Sequence, residues 1–581
     1  MAEVRLPSGI KFWGLSLLLT LCFFLFFWEL GNIPLYERGE PREGLVIWEM
    51  YKTGNWVLPI INGDYIPFKP PFFHWIGVLV SAVIGDVNEL TIRLPSALFA
   101  TLGVVLVYTT GTRLWNEKTG RFAAMVLATT PGWWRAATMA QVDMTLAFFM
   151  TAALLLFYFM YREGRYTRVN SMAVALLLAC ATLTKGPLGL LLPLLTIFGF
   201  LCLRRDFAFL KKAHPISGAV FFLFVACSWY ALAIRQGGSA FFIRQILEES
   251  LGTAAGDYGR HQPPYYFVSN FFLNQAPWSV FFPPLVLFLY RRRRALFEDP
   301  VLFPLVWLVS VFLFFSLALG KRAVYILPLY PAFALLLGAW WGSLDKENPT
   351  AGVWITSAVG YTSAAASLVA VGTIMFFLVG SSGAQVQHLF PLVRSAGTLD
   401  DLQSFFTPSV PLWIGLWVFG AASLLIFLSL PRKKWDGMFV AITMMAVAAM
   451  VFMKTTYYPA IASKRTLKPF ATRLRENINP QTPILFYSSF DYGTIFYSRR
   501  DIGQYAQEVN ELKQPVFLLM WEEDWKRLRK KNALEMLDVS EGRGPVAKHR
   551  LILVKPSGFL PIPAKQESAV LRREREDSAN D

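Results

Sequence analysis

The chain has 581 residues, of which 55% are hydrophobic and 16% charged, and its mean hydropathy is +0.42. Soluble domains carry about 25% charged residues, so this composition excludes an ordinary soluble protein and predicts a lipid environment. Lys and Arg total 55 against 39 Asp and Glu, which gives a formal net charge of +16. Most of this excess lies in short loops between apolar runs, which is typical of cytoplasmic loops and not of a nucleic-acid-binding domain.

Apolar runs recur along most of the chain. Crossing a bilayer takes about 20 mostly apolar residues, and runs of this kind predict about thirteen membrane spans. They begin near positions 12, 93, 122, 141, 169, 188, 215, 278, 301, 323, 352, 411 and 437. We therefore expect an all-α polytopic membrane protein.

Basic loops set the expected orientation. With the N-terminus (Arg5, Lys11) in the cytoplasm, alternation puts every strongly basic short loop on the cytoplasmic side and the C-terminus outside. Lys321 and Arg322 are the exception, because alternation places this basic pair on the outer side. We expect an anionic group opposite them.

Polar segments divide the chain. We expect a transmembrane domain over residues 1–453 with outer loops at 31–93 and 235–277. A small soluble domain at the outer face would follow over residues 454–562, and the charged tail, 563–581, is expected to be disordered.

The soluble domain is predicted to be α/β. Residues 467–478 have helical spacing, and residues 483–488 and 515–520 look like strands. Residues 521–537 are charged and look helical.

The first outer loop gathers charged side chains. Glu37, Glu40 and Glu43 stand close together beside Arg42. Carboxylates can act as acid or base, and arginine can hold an anion. The alternative is a solvated loop end with internal ion pairs. Lys69 comes later in the loop, directly before two prolines that fix the backbone where a cation meets the membrane interface.

Two charged residues stand at the outer ends of predicted spans. Asp143 opens one span, where a carboxylate is costly unless it is paired. It is either functional or part of a structural ion pair, for example with Arg135. Lys185 ends another span, and Gly186-Pro187 directly after it break the helix and open backbone amides that suit a phosphate. Simple snorkelling of Lys185 towards water is the alternative.

Further candidates lie in and after the second outer loop. They are Arg260, His261, Lys321, Arg322 and Tyr325. A lone histidine is more often structural than catalytic. Cations at the outer membrane boundary fit the phosphate of a lipid headgroup. The chemistry that suits them is transfer of a group from a lipid phosphate, with a carboxylate activating the acceptor.

Several of these elements occur in an order that resembles a known family. Glu-Pro-Arg-Glu, Thr-Gly-Asn-Trp-Val-Leu-Pro, Asn-Gly, Lys-Pro-Pro and Arg-Leu-Pro-Ser are followed by Asp143, Lys185-Gly186-Pro187, His261, Pro277-Trp278 and the segment around Tyr325. This order resembles the integral membrane glycosyltransferases of the GT-C type that use polyprenyl-phosphate sugars. The likeness is greatest to the lipid A aminoarabinose transferases and their protein O-mannosyltransferase relatives, and it covers about residues 12–340.

The resemblance implies inverting transfer of a sugar from a polyprenyl-phosphate donor to a lipid, glycan or protein acceptor. The reaction would take place at the periplasmic face of a bacterial inner membrane. Lys69 would contact the donor phosphate. The further phosphate candidates are Lys185, Arg260, Lys321 and Arg322, and Arg42, His261 and Tyr325 are other site candidates.

This chain departs from the family pattern at two places. The family usually has Asp-Glu in the first loop, where this chain has Gly39-Glu40, and it often has Glu before Lys-Pro-Pro, where this chain has Phe68. Glu40 is therefore the first choice for the catalytic base, followed by Glu37 and Asp143. The same departures leave an altered acceptor or a lost activity open.

Two other functions fit the residues. A transporter or lipid flippase needs ionisable residues near the middle of the membrane and broken helices, whereas the charges here gather at one face. A non-catalytic sugar-lipid binder is the other alternative. The residues identify no cofactor, and the carboxylates with His261 leave a divalent metal open without a ligand spacing that demands one. The four cysteines have no disulfide or zinc spacing.

Overall fold

The computed structural model describes residues 12–63, 67, 69–241, 243, 262–294, 296, 297, 300–344, 351–380, 410–508, 515–545 and 549–561. The predicted tail therefore lies outside the described residues, as do residues 242 and 244–261 of the predicted second outer loop.

Helices dominate the membrane part. In chain order they are α1 (Phe12–Cys22, continued by a π-helical turn, Phe23–Phe27), α2 (Gly39–Thr53), α3 (Phe72–Ile84), α4 (Glu89–Leu114), α5 (Glu117–Ala128), α6 (Pro131–Ala137), α7 (Val142–Glu163), α8 (Arg168–Lys185), α9 (Leu188–Arg204), α10 (Ala208–Lys212) and α11 (Pro215–Phe241). They continue with α12 (Tyr266–Asn274), a 3₁₀ turn (Trp278–Phe281), α13 (Phe282–Arg291), α14 (Leu302–Leu317), a second 3₁₀ segment (Ala323–Leu329), α15 (Tyr330–Trp341), α16 (Ala351–Gly380), α17 (Val410–Ser429), α18 (Trp435–Phe452), a π-helical turn (Met453–Tyr457) and α19 (Tyr458–Arg465).

Seven of the described helices are long and apolar enough to cross a membrane, or up to eight if the bent pair Tyr266–Asn274 and Trp278–Arg291 is one span. Shorter apolar helices accompany them, at Trp13–Phe27, Phe72–Ile84, Leu188–Arg204 and Leu302–Leu317. Each predicted span start falls on or beside a helix, but the total of about thirteen spans stays a prediction.

Local sequence explains how α4 begins and how it packs. Its first turn is capped by Asn88, whose side chain accepts from the backbone N–H groups of Leu90 and Thr91. Towards its other end, Gly111 meets Gly120 of α5 so closely that a Cβ on Gly111 would lie 2.7 Å from the Gly120 Cα. Small residues of this kind let membrane helices approach each other.

The basic loops meet at one end of the bundle, which we call the basic face. Lys118 pairs with Asp436 at 2.9 Å, and Arg113 pairs with Glu163. These contacts join the ends of α4 and α7 and the starts of α5 and α18. The opposite end, where α4 begins and the C-terminal domain docks, we call the domain face.

The C-terminal domain is a mixed α/β unit. Its elements are α20 (Lys468–Asn477), β1 (Ile484–Phe486), α21 (Tyr492–Ser498), β2 (Gly503–Gln504), α22 (Tyr505–Glu508), β3 (Phe517–Trp521), α23 (Glu522–Leu528), β4 (Leu534–Val539) and β5 (Leu551–Pro556). The strand order is β2-β1-β3-β5-β4, with β1 parallel to both neighbours and β5 antiparallel to both of its own.

The expected helix over residues 521–537 is only half right. It ends at Leu528, and the chain then forms β4, which pairs with β5. Apolar side chains at Leu534 and Met536 alternate as a strand requires, with Val539 in step beyond a bulge between Met536 and Asp538. Tertiary pairing here overrides the helical charge pattern.

The domain docks on the first outer loop through polar and apolar contacts. Glu89, at the start of α4, accepts hydrogen bonds from Lys468 at 2.6 Å and from the Tyr497 hydroxyl at 2.8 Å. Asn62 exchanges two hydrogen bonds with the backbone of Ile502, at 2.9 and 2.7 Å. One apolar core includes residues of α2, α3, α20 and α21. The domain therefore holds α2, which carries the candidate carboxylates Glu40 and Glu43.

Candidate active site

Asp143, Lys185 and Tyr325 come together at the domain face. Asp143 is in the first turn of α7, and Lys185 is the last residue of α8. The two side chains form an ion pair, in which Lys185 is 7% and Asp143 14% exposed. The Lys185 Nζ lies 4.4 Å from the centre of the Tyr325 ring, a distance at which the ring face attracts a cation. Sequence analysis named all three residues but not their contact.

The end of α8 depends on Gly186. This residue has φ 71° and ψ −152°, and its N–H donates to the carbonyl of Thr182. Such backbone angles are almost confined to glycine. Pro187 then leads directly into α9. The Gly-Pro pair thus stops the helix at Lys185, as the sequence predicts.

The loop that carries Lys69 reaches the same end of the bundle. Lys69 is partly buried and precedes α3. Phe72, the first residue of α3, stacks edge-on against Phe149 of α7 at 5.0 Å and packs on the apolar cluster that contains Leu183, two residues before Lys185. Lys69 therefore belongs to the segment that packs on the helices carrying Asp143 and Lys185.

Lys321 and Arg322 lie just before the 3₁₀ segment with Tyr325. Lys321 is buried and donates to the carbonyl oxygens of Gln262, at 2.9 Å, and of Ala318. Arg322 is partly buried. Arg260 and His261 lie outside the described residues, so their roles stay predictions.

Glu40 lies in a different environment. It is 1% exposed, and its carboxylate forms a two-point ion pair with Arg93 at 2.7 and 2.9 Å. Its Oε1 also accepts from the backbone N–H of Ala140 at 2.9 Å. Arg93 in turn donates to the carbonyls of Leu30 and Ile33. Glu40 thereby fixes the connection between α6 and α7, directly before Asp143.

Glu37 pairs with Arg135 of α6 at 2.9 Å and is 28% exposed. The sequence suggested Arg135 as a partner of Asp143, but in the structure Asp143 pairs with Lys185. The reason is that the end of α8 meets the first turn of α7, whereas Arg135 on α6 faces the segment before α2.

A small charged cavity adjoins these groups. It is lined by Glu29, Leu30, Ile33, Tyr36, Glu40, Arg93, Trp134, Arg135, Thr138, Met139, Lys454 and Tyr458. Thr138 and Met139 belong to the connection between α6 and α7. This connection therefore has the charged cavity at one end and the Asp143–Lys185 pair at the other.

Sequence analysis missed several residues of this region. Arg93 was taken only as the start of a span, and Lys454 as a domain boundary. His74 was not considered, although its Nε2 lies 2.8 Å from the Glu43 carboxylate. Arg42 contacts the same carboxylate at 3.0 Å. The partners of Arg93, His74 and Lys454 lie far away along the chain, so these contacts could not be read from the sequence.

Glu43 is held as an anion. Burial raises the pKa of its carboxyl, but Arg42 and His74 more than offset this effect and lower that pKa to about 2. In the part of the chain that the structure describes, no group of three or more His, Cys, Asp or Glu side chains could hold a metal ion.

Known proteins resemble this chain. A family model described as dolichyl-phosphate-mannose-protein mannosyltransferase matches residues 68–230. Undecaprenyl phosphate-alpha-4-amino-4-deoxy-L-arabinose arabinosyl transferase 2 of Pseudomonas fluorescens is 28% identical over 371 residues, 63% of this chain and 62% of that protein. The match thus spans less than two thirds of that relative. An uncharacterized protein of Aquifex aeolicus is 31% identical over 324 residues, 55% of this chain and 72% of that protein.

The fold has a solved counterpart. The crystal structure of ArnT from Cupriavidus metallidurans bound to undecaprenyl phosphate matches with a TM-score of 0.71 at 20% identity, and the match covers 93% of this chain and 97% of that one. This likeness confirms the expected helical membrane fold with its small C-terminal sheet. The chain belongs with the membrane glycosyltransferases of the GT-C type.

Proposed function

We propose that this protein transfers a sugar from a polyprenyl-phosphate donor to a lipid, glycan or protein acceptor, with inversion, at the periplasmic face. The observation that carries the proposal is the largely buried Lys185 side chain, which pairs with Asp143 at the domain face beside the segment of Lys69. The names of the Pseudomonas and Cupriavidus relatives support a donor of this class.

Lys185 and Lys69 would stabilise the leaving phosphate. When the bond between the anomeric carbon and the phosphate oxygen breaks, its electron pair stays on the polyprenyl phosphate. A fixed cation in a site with little water stabilises that charge more than bulk solvent does. Asp143 holds the Lys185 ammonium in place, which makes it a positioning residue in this proposal.

Glu37 suits the role of general base better than Glu40. An inverting transfer needs the base on the side of the sugar opposite the leaving phosphate, where the acceptor hydroxyl attacks. Asp143 touches Lys185 and therefore lies on the phosphate side. Both oxygens of Glu40 are taken by Arg93 and Ala140. Glu37 is more exposed and is held by Arg135, so its carboxylate can take the proton of an acceptor hydroxyl.

The test uses the full chain in lipid nanodiscs, a panel of radiolabelled polyprenyl-phosphate sugars and a membrane extract as the source of acceptor. We expect one donor to lose its sugar to an acceptor with release of polyprenyl phosphate. Lys185→Met should weaken both donor binding and transfer, whereas Glu37→Gln should lower transfer about 100-fold or more and leave donor binding intact.

Glu476→Gln serves as the control, because it removes a carboxylate from an exposed position on α20. Normal transfer in both site variants would contradict the assignment of the site. A donor that binds to the wild type and is never transferred would contradict the enzymatic function and favour a sugar-lipid binder.

A further inference from the structure

Lys454 is a buried cation that the proposed reaction does not use. It is 5% exposed and lines the charged cavity. Its ammonium donates to the carbonyl oxygen of Leu25 at a long 3.4 Å, and no described carboxylate lies within 4.0 Å of it. An ammonium has three donors, so most of its hydrogen-bonding capacity has no acceptor among the residues that the structure describes. A buried charge left in this state is costly unless something else satisfies it.

The position of Lys454 in its helix adds to this observation. It lies in the π-helical turn Met453–Tyr457, inside a helix that runs from Trp435 to Arg465 and is apolar enough to cross a membrane. π-helical turns often occur at functional sites, because they redirect side chains. An ionisable residue in such a helix is a candidate for ligand binding by default.

A larger apolar cavity adjoins the charged one. Its volume is about 480 Å³, and it shares the wall formed by Trp134, Arg135 and Tyr458. Apart from this wall, the residues that line it are Pro131, Asn274, Ala276, Pro277, Val280, Ser363, Phe419, Ile442, Met445, Ala446, Ala449, Met450 and Met453. Its size lies within the range of small-molecule sites, and its lining suits a hydrocarbon chain.

The charges around Lys454 leave room for an anion. Arg93 is neutralised by Glu40, and Arg135 is paired with Glu37. Glu29 is the nearby acidic group that acts on Lys454, and it is exposed. The charged cavity has a volume of about 30 Å³, which is about two to three times the cavity volume that one buried water molecule needs. It therefore admits the anionic tip of a headgroup but not a sugar.

We propose that the two cavities bind an acidic lipid, with a hydrocarbon chain in the apolar cavity and the anionic group at Lys454. The site lies beyond the connection between α6 and α7, away from the Asp143–Lys185 pair. If this lipid is also the acceptor of the transferred sugar, that role rests on the proposed function. Binding of the lipid itself does not rest on it.

Binding is tested on the delipidated full chain by native mass spectrometry. The probes are dioctanoyl phosphatidic acid, dioctanoylglycerol, dioctanoyl phosphatidylcholine and inorganic phosphate. We expect the wild type to bind phosphatidic acid about 10-fold or more tightly than either of the other two lipids, which corresponds to about 1.4 kcal/mol. Inorganic phosphate that binds as tightly as phosphatidic acid would overturn the proposal, because the hydrocarbon chain of the lipid would then contribute nothing to binding.

Matched variants locate the site. Lys454→Met should abolish the preference for phosphatidic acid, Lys454→Arg should keep it, and Glu29→Gln should strengthen it by removing the competing carboxylate. Ala449→Phe fills part of the apolar cavity and should weaken the binding of all three lipids by the same factor. Lys434→Met removes a cation at the opposite end of the same helix and should change nothing. A preference that survives in Lys454→Met would overturn the assignment.

The transfer assay separates the two proposals. If the lipid is the acceptor, Lys454→Met should raise the acceptor concentration needed for half-maximal transfer and leave donor binding unchanged. A wild type that binds phosphatidic acid through Lys454 yet transfers no sugar would contradict the proposed function alone. A wild type that transfers sugar without any such binding would contradict the lipid site alone.

Discussion

At the scale of single residues, the two-point pair between Glu40 and Arg93 is the most strongly buried charge interaction at the candidate site. Glu40→Leu leaves the Arg93 guanidinium buried without its counter-charge, and we expect a loss of about 3–5 kcal/mol in stability. The measurement is the thermal unfolding midpoint of the purified protein in detergent.

The double variant Glu40→Leu/Arg93→Met removes both charges and provides the comparison. It should unfold at a higher temperature than Glu40→Leu alone, although the carbonyls of Leu30 and Ile33 lose their donor. A single variant that keeps the wild-type midpoint but loses all transfer would mean that Glu40 acts in catalysis and that its pairing matters little for stability.

Glu43 predicts how stability depends on pH. The pKa of its carboxyl is about 2 in the folded chain against an ordinary 4.5. Because the folded value is the lower one, its stabilising effect of about 3 kcal/mol is complete above pH 4.5 and is lost as the pH falls from 4.5 towards 2. Glu43→Gln should flatten this part of a curve of unfolding midpoint against pH, whereas Glu476→Gln should not. Parallel curves for the wild type and Glu43→Gln would contradict this origin of the acid sensitivity.

At the scale of elements, the sequence predicts where helices occur better than how their ends meet. Apolar runs located the helices because lipid demands helices of a minimum length. The helix break after Lys185 was also visible, since Gly-Pro ends a helix in any context. The pairing of Asp143 with Lys185 was not visible, because it depends on the angle at which α7 and α8 pack. Residues 521–537 show that tertiary contacts can also change the type of element. Their charge pattern indicates a helix throughout, but pairing with β5 stabilises a strand, β4, in the second half.

The turn between α8 and α9 gives a prediction of its own. Gly186→Ala puts a side chain on backbone angles that are almost confined to glycine, which costs about 1–3 kcal/mol or shifts the end of α8. Either result displaces Lys185 from Asp143, so we expect weaker donor binding in the nanodisc assay. Gly372→Ala is the matched control, because Gly372 lies inside α16 and a Cβ there has no neighbour within 4 Å. Equal donor affinity in the two variants would show that this turn does not position Lys185.

At the scale of the whole molecule, the site depends on contacts between distant parts of the chain. Lys468 and Glu89 are 379 residues apart, and Asn62 and Ile502 are 440 apart. No spacing rule in a single sequence brings such residues together. The sequence therefore indicated an outer-face domain but not that this domain fixes the loop that carries Glu37, Glu40 and Glu43.

The hydroxyl of Tyr497 tests whether the C-terminal domain orders that loop. It accepts from the buried N–H of Leu35 at 2.7 Å and donates to Glu89 at 2.8 Å. Tyr497→Phe leaves this N–H without an acceptor, at a cost of about 1–3 kcal/mol. We expect faster amide hydrogen exchange over residues 35–45, slower transfer because Glu37 loses its fixed position, and unchanged donor binding. Tyr505→Phe also removes two buried hydrogen bonds, but inside the domain, at Leu560. If that variant increases exchange over the same residues equally, the effect is a general loss of stability and the domain does not specifically order the loop.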